Sequence, residues 1–186
     1  MMDALSALHG RVSCPRLIDP APEDDVLKNI QKAAFRAADH GRLRPWRFLV
    51  IEREGRNQLG DLFIASAESC GDELTDKQRE RIAKKPLRAP MIVVVIASIR
   101  DNPKVPEIEQ IISAGAAAQN MITAAYAQGV GAIWRTGSLA YDKVVMAGLG
   151  LSDSEKIVGF LYLGTVPVKG LEAPELQTED YFQSWP

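Results

Sequence analysis

Three stretches of this sequence carry cations beside turn-forming residues or apolar runs: His9–Arg16 (HGRVSCPR), Phe35–Trp46 (FRAADHGRLRPW) and Ile133–Gly137 (IWRTG). Arginine suits such places, because its guanidinium stays charged when partly buried and its planar fork matches the oxygens of phosphate and carboxylate. Ser13 and Thr136 add hydroxyl donors beside Arg11 and Arg135. Together these types fit a small phosphorylated ligand. Each also has a plainer reading. Arg11 and Arg16 can be solvated charges at a helix end. Arg36 falls near a helix C-terminus, where a cation is favourable in any case, and His40 can cap that end. Trp46 and Trp134 are of a type that usually packs in a core. Arg135 is harder to leave to solvent. It lies in GVGAIWRTG, with no acidic residue within six positions on either side, and a buried charge without a partner is costly.

Other chemistries lack their residues. Gly129-Val130-Gly131 begins a GxGxxG-like run, but its third glycine position is Trp134. That run also leaves a helix and enters a strand, the reverse of a dinucleotide fingerprint. There is no P-loop, GxSxG elbow or HExxH. Two histidines and two cysteines, Cys14 and Cys70, are too scattered for a metal site or a disulfide framework. The cysteines read as reduced thiols of a cytosolic protein. If the chain is an enzyme, a bound cofactor carries the chemistry.

The elements that must position these residues alternate between helix and strand. Residues 2–9 read as a short helix. A clear helix follows, with Pro22 at its first position, Glu23, Asp24 and Asp25 at the positive end of its dipole, and Gly41 as its stop. Arg47–Glu52 reads as a strand, residues 55–71 and 74–85 as helices, and Met91–Ser98 as a strand buried on both faces. Pro106 to Gly129 spans a long Ala-rich helix, apolar on nearly every side and expected to be buried. A short strand at 131–134, a helix ending near Gly148 and a strand over Lys156–Val166 complete the order. A strict βαβ repeat is absent, which points to an α+β domain with helices around one sheet.

The 186 residues suit one domain, 1–186, in which about 168–186 form an acidic arm ending in Tyr181, Phe182 and Trp185. Such an arm cannot build its own core, so it is expected to dock, on a partner subunit for example. A net charge of −2 argues against a nucleic-acid binder. No uninterrupted apolar run approaches the ~18 residues of a membrane span. MMDALSALHGRV lacks the cationic start and long apolar core of a signal peptide. The expected location is cytoplasmic.

In order, DALSALHGRVSCPRLIDPAP, FRAADHGRLRPWRFLVIE, LRAPMIVVVIA, KVPEIEQIISAGAAAQNMITAAYAQGVGAIWRTG and KIVGFLYLGT resemble the compact, YdjA-like branch of the nitroreductase family, over about residues 3–167. The resemblance implies an α+β fold with a central mixed or antiparallel sheet flanked by helices. It implies a homodimer with FMN at the subunit interface and the Ala-rich helix packed there. It also implies hydride transfer from NADH or NADPH through flavin N5 to electron-poor acceptors such as nitroaromatics or quinones, in a ping-pong cycle. The alternative is a flavin-binding module of this fold with little turnover.

The resemblance carries over residue by residue. Arg11 and Ser13 match the outer positions of the family's Arg-Arg-Ser and would hold the FMN phosphate and ribityl chain. Val12 replaces the second arginine, leaving only a backbone contact there. Arg36 and His40 would approach the flavin across the dimer interface. Arg44 stands where the family has Gln before Pro-Trp, and adds positive charge. Trp134, Arg135 and Thr136 match a WRSG segment and would lie on the phosphate side. Ala124, Ala125, Tyr126, Ala127, Gln128 and Gly129 match the branch's nicotinamide region. No protein side chain is implied as catalytic, and no metal is implied.

Overall fold

The computed structural model describes residues 2–69, 71, 73–167 and 171–185. Its centre is β2 (Met91–Ser98), whose first seven residues are all buried. That run of Val and Ile needs cover on both faces, and it pairs on both edges. Antiparallel neighbours are β1 (Trp46–Glu52) and β4 (Glu155–Gly164), and β3 (Gly131–Arg135) pairs antiparallel with the far side of β4. The order β1-β2-β4-β3 makes the four-stranded sheet antiparallel throughout, an α+β arrangement as expected.

Alternation along β2 divides the interior into two cores. Ile92, Val94 and Ile96 meet Leu59 and Phe63 of α3 (Glu54–Ser69), together with Ile82 of α4 (Asp76–Ala83) and Ala140 of α6 (Ser138–Tyr141). Val145 of α7 (Lys143–Gly148) joins the same core. Met91, Val93 and Val95 meet Ile30 and Ala34 of α2 (Asp24–Ala34), and Ala117, Ala118, Met121 and Ala125 of α5 (Glu107–Ala127). The N-terminal helix α1 (Ala4–Gly10) packs on α5.

Two expectations about helices are corrected. α2 ends at Ala34 instead of running to Gly41. The chain there goes into turns and a short 3-10 segment, His40–Arg42, with Gly41 at φ 72. Pro22 lies outside α2, and Glu23 is the N-cap. α5 is buried on one face rather than all round. Ile108 and Ile112 are 60% and 63% exposed, whereas Gln110 is buried and holds the backbone of Arg100 and Val105. α5 stops as the sequence suggests. Gly129 takes φ 78, and the N–H groups of Gly129 and Val130 donate to the carbonyls of Tyr126 and Ala125.

Arg47 of β1 reaches across β2 to Glu155 at the start of β4, with Nε–Oε1 2.5 Å and Nη2–Oε2 2.8 Å. Ser98 Oγ donates to the same carboxylate. The Arg47 hydrogen bond, aided by Ser152 N–H and Ser98, holds the Glu155 carboxyl down at about 2, against 4.5 in an unperturbed chain. The folded value is the lower one. The stabilisation is therefore complete above about 4.5 and is lost as pH falls toward 2. Urea unfolding across this window should show that slope, and Glu155→Gln should flatten it.

Cys14 is buried and unpaired, and its thiol donates to the Arg16 carbonyl. Cys70 lies outside the described residues, so its expected reduced state is not addressed by the fold. The arm from Leu171 to Trp185 packs little on its own chain. Tyr181, Phe182 and Trp185 are all exposed, Trp185 to 95%. Among the described residues no helix is long and apolar enough to cross a membrane.

Candidate functional site

β3 is the strand that carries Trp134 and Arg135, and pleating sends them to opposite faces. Trp134 turns toward α5. Its indole N–H donates to the Val158 carbonyl at 3.3 Å. A Cβ added to Gly115 would stand 3.6 Å from its ring. Val158 is the extra residue of a bulge in β4, where Val95 pairs with Gly159 and Ile96 with Ile157. The indole is thus held by packing, while Trp134 is half-buried and also lines the cleft beside Arg135.

Arg135 turns to the other face. Its Nη2 donates to the Pro15 carbonyl at 2.9 Å, and its guanidinium lies 5.5 Å from the centre of the Tyr162 ring. Its Nε is buried with no acceptor. No acidic side chain reaches it among the described residues. A cleft of about 470 Å³ opens over it, lined by Lys85, Arg88, Thr136 and Ser138 on the polar side and by Phe63 and Phe160 on the apolar side. A second cleft of about 510 Å³ shares Arg88 and Arg135 and adds Arg16 and Lys84. Neither lining contains a carboxylate.

The electrostatics reflect this excess of cations. Burial pushes the Lys85 ammonium down, and Arg81 and Arg88 push it further. Burial pushes the Tyr162 phenol up, against the opposing pull of Arg135 and Arg88. A phosphorylated cofactor fits these groups. The buried, unpartnered Nε and the acid-free cationic clefts lack an anion, and a phosphate has one to offer.

The other expected residues divide into two groups. Arg11 and Ser13 follow α1 and face each other, Nη1–Oγ 3.4 Å, with Val12 partly buried between them. The N–H of Cys14 donates to the Ala132 carbonyl, so this segment runs beside β3. Arg11 and Ser13 nevertheless line neither Arg135 cleft. Arg36 and Arg44 instead line a cavity of about 870 Å³ with Arg42, Arg47, Asp39 and Trp46. Asp39 accepts the N–H groups of Leu43 and Arg44, which folds the loop back on itself. His40 does not cap α2. Its Nδ1 lies 2.6 Å from Glu109 of α5. Trp46, Phe48 and Ala37 belong to the α2–α5 core, whereas Ile133, Phe160 and Tyr162 belong to the α3 core. Within one chain, Arg36 and Arg44 and the Arg135 clefts therefore lie on opposite faces of the sheet.

The run Ala124–Gly129 closes α5. Ala125 is buried, and Gln128 links Asn29, Val26 and Ala124. Tyr126 and Gly129 keep some exposure. Sequence reasoning missed Lys85 and Arg88. The signal was the basic run KKPLR between α4 and β2, which reads as a helix tail until the fold turns it toward β3.

A family model described as "Nitroreductase family" matches residues 8–165, most of the chain. The chain belongs to the nitroreductase family. It is 45% identical over 168 residues to "Putative NAD(P)H nitroreductase YdjA" of Escherichia coli, covering 90% of this chain and 91% of that one. It is 33% identical over 186 residues to a protein of the same general description from Haemophilus influenzae, covering 97% and 98%. Solved structures share the fold. A nitroreductase-like protein from Bacillus cereus superposes with TM-score 0.83 at 24% identity, covering 100% of this chain and 97% of the other. A Desulfovibrio desulfuricans nitroreductase solved in complex with FMN gives 0.73 at 23%, covering 100% and 99%. Among the described residues of this family member no group of side chains could hold a metal ion.

Proposed function

We propose that this nitroreductase-family chain is an FMN-dependent NAD(P)H oxidoreductase acting on electron-poor acceptors such as nitroaromatics or quinones. The observation that carries the reading is Arg135, a partly buried arginine with an unpartnered Nε in an acid-free cleft. FMN, when bound, supplies the hydride chemistry, accepting from the coenzyme and passing on to the acceptor. The chain binds, orients and shields. Arg11, Ser13, Arg135 and Thr136 hold the cofactor's phosphate and ribityl chain, with backbone contacts from Val12 and Trp134. Arg36, His40 and Arg44 reach the cofactor of a partner subunit, which accords with the place of Arg36 and Arg44 on the opposite sheet face. The coenzyme meets the accessible residues of the run Ala124–Gly129, namely Ala124, Tyr126, Ala127, Gln128 and Gly129, with Ala125 buried behind them.

A homodimer supports this division of labour. Leu5 and Leu8 of α1 and Ile108 and Ile112 of α5 are exposed apolar side chains, and the aromatic arm has nothing to cover on its own chain. Both features suit a symmetric interface.

Purified protein should be yellow, release FMN on denaturation, and show bleaching of the flavin band when mixed with NADH or NADPH in a stopped-flow instrument. Colourless protein that also refuses added FMN would end this reading. A bound flavin that neither coenzyme reduces would favour a binding module.

A further inference from the structure

We propose that Lys85 and Arg88 form, with Arg135, the phosphate end of the flavin site, so that the cation absent at position 12 is supplied by the turn before β2. The inference rests on the flavin reading above and divides its labour further, leaving the ribityl chain to Arg11 and Ser13.

Four observations carry it. First, Lys85, Arg88 and Arg135 line one cleft without a carboxylate, and among the described residues neither the Lys85 ammonium nor the Arg88 guanidinium has a protein partner. Lys85 and Arg135 are half-buried and Arg88 is exposed; like charges gathered in one cleft repel, and an anion bound there relieves that repulsion. Second, the need is for more than one negative charge. A phosphate monoester carries about −1.5 to −2 at neutral pH and three acceptor oxygens, which matches three cations better than a carboxylate does. Third, hydroxyl donors stand ready at Thr136, Ser138 and Tyr162, around the buried Arg135 Nε. Fourth, two of the three cations, Arg88 and Arg135, are fixed to the segment that follows Ser13. Leu17 N–H donates to the Arg88 carbonyl at 2.8 Å, and the Pro15 carbonyl receives Arg135. One short stretch of chain thus ties the 3-10 turn Pro86–Arg88 and β3 to the residues assigned to the ribityl chain.

Two other basic side chains are already spoken for. Lys84 is paired with Glu80, and Arg47 with Glu155.

The test compares FMN with riboflavin, which lacks the phosphate. Apo-protein is titrated with each, following quenching of flavin fluorescence, for wild type, Lys85→Met, Arg88→Ala, the double variant and Arg11→Ala. Each cation should contribute a charge-assisted contact, so each single variant should raise the FMN Kd roughly tenfold and the double variant roughly a hundredfold. Riboflavin affinity should stay within about twofold, since it never meets these cations. Arg11→Ala should weaken both flavins alike. Inorganic phosphate should compete with FMN and not with riboflavin. Thermal unfolding of each apo-variant is the control for folding; the Arg88 contact to Leu17 is made by its backbone and survives in Arg88→Ala. An unchanged FMN-to-riboflavin ratio in the Lys85 and Arg88 variants overturns the inference while the flavin reading stands. A wild type that binds both flavins equally does the same. A wild type that binds neither flavin removes the flavin reading, and this inference with it.

Discussion

Arg135→Ala should weaken FMN binding far more than it lowers the stability of the apo-protein. In the apo-protein the side chain makes one hydrogen bond, to the Pro15 carbonyl, and one ring contact, with Tyr162. These contribute roughly 1 kcal/mol each. Against them stand the buried Nε without an acceptor and the nearby cations. An unsatisfied buried donor costs about 1–3 kcal/mol, so the net loss of apo stability should be within about 1 kcal/mol of zero. Binding is asymmetric. Two or more charge-assisted hydrogen bonds to a phosphate disappear, at about 1.5–3 kcal/mol each before the neighbours relax. The FMN Kd should rise by roughly 30-fold or more. Urea unfolding of the apo-protein and flavin titration, made on the same preparation, decide the matter. Equal losses in both would return Arg135 to a purely structural role.

Gly159→Ala should be among the most damaging substitutions available in the sheet. A Cβ there would stand 2.0 Å from the Trp134 Nε1, 2.6 Å from its Cδ1 and 3.0 Å from the Arg135 carbonyl oxygen. The indole cannot swing away easily, because Gly115 of α5 packs on its far side and Val158 holds its N–H. The backbone atom cannot move without shifting β3. Overpacking of this kind costs about 1–3 kcal/mol and sometimes more; with a ring and a backbone oxygen both in the way, about 3 kcal/mol is expected. The same shift would displace Arg135, so FMN affinity should fall with stability. That parallel loss distinguishes it from Arg135→Ala. A Gly159→Ala protein as stable as wild type would mean that β3 can slide, contrary to its tight pairing with β4.

Much of the architecture was legible because it rests on local periodicity. The β-branched run within Met91–Ser98 announces a strand covered on both faces, and it is an interior strand of the sheet, paired with β1 and β4. Gly129 announces the end of α5, because only a residue at ease with positive φ closes that turn. Where periodicity misled, a tertiary contact won. Ala37 continues the apolar spacing of α2, yet the helix stops at Ala34, and Ser113 of α5 takes the Ala38 carbonyl at 2.6 Å. The long Ala-rich helix looks apolar all round, yet its Ile108 and Ile112 stay outside the chain's own core.

The sequence by itself determined the residue types of the site. An arginine in an apolar run with no nearby acid raises the question of an anion, since a charge that is buried unpaired is costly, but the sequence leaves its burial open. It also showed no motif from which a protein-only catalytic machine could be assembled. The tertiary structure decided which cations share a cleft. Lys85 and Arg88 stand about fifty residues before Arg135 in the chain and join it only because β4 separates β3 from β2 by one strand. It also decided that Arg36 and Arg44 lie across the sheet from Arg135, for pleating and packing, not sequence distance, set the face on which a charge emerges.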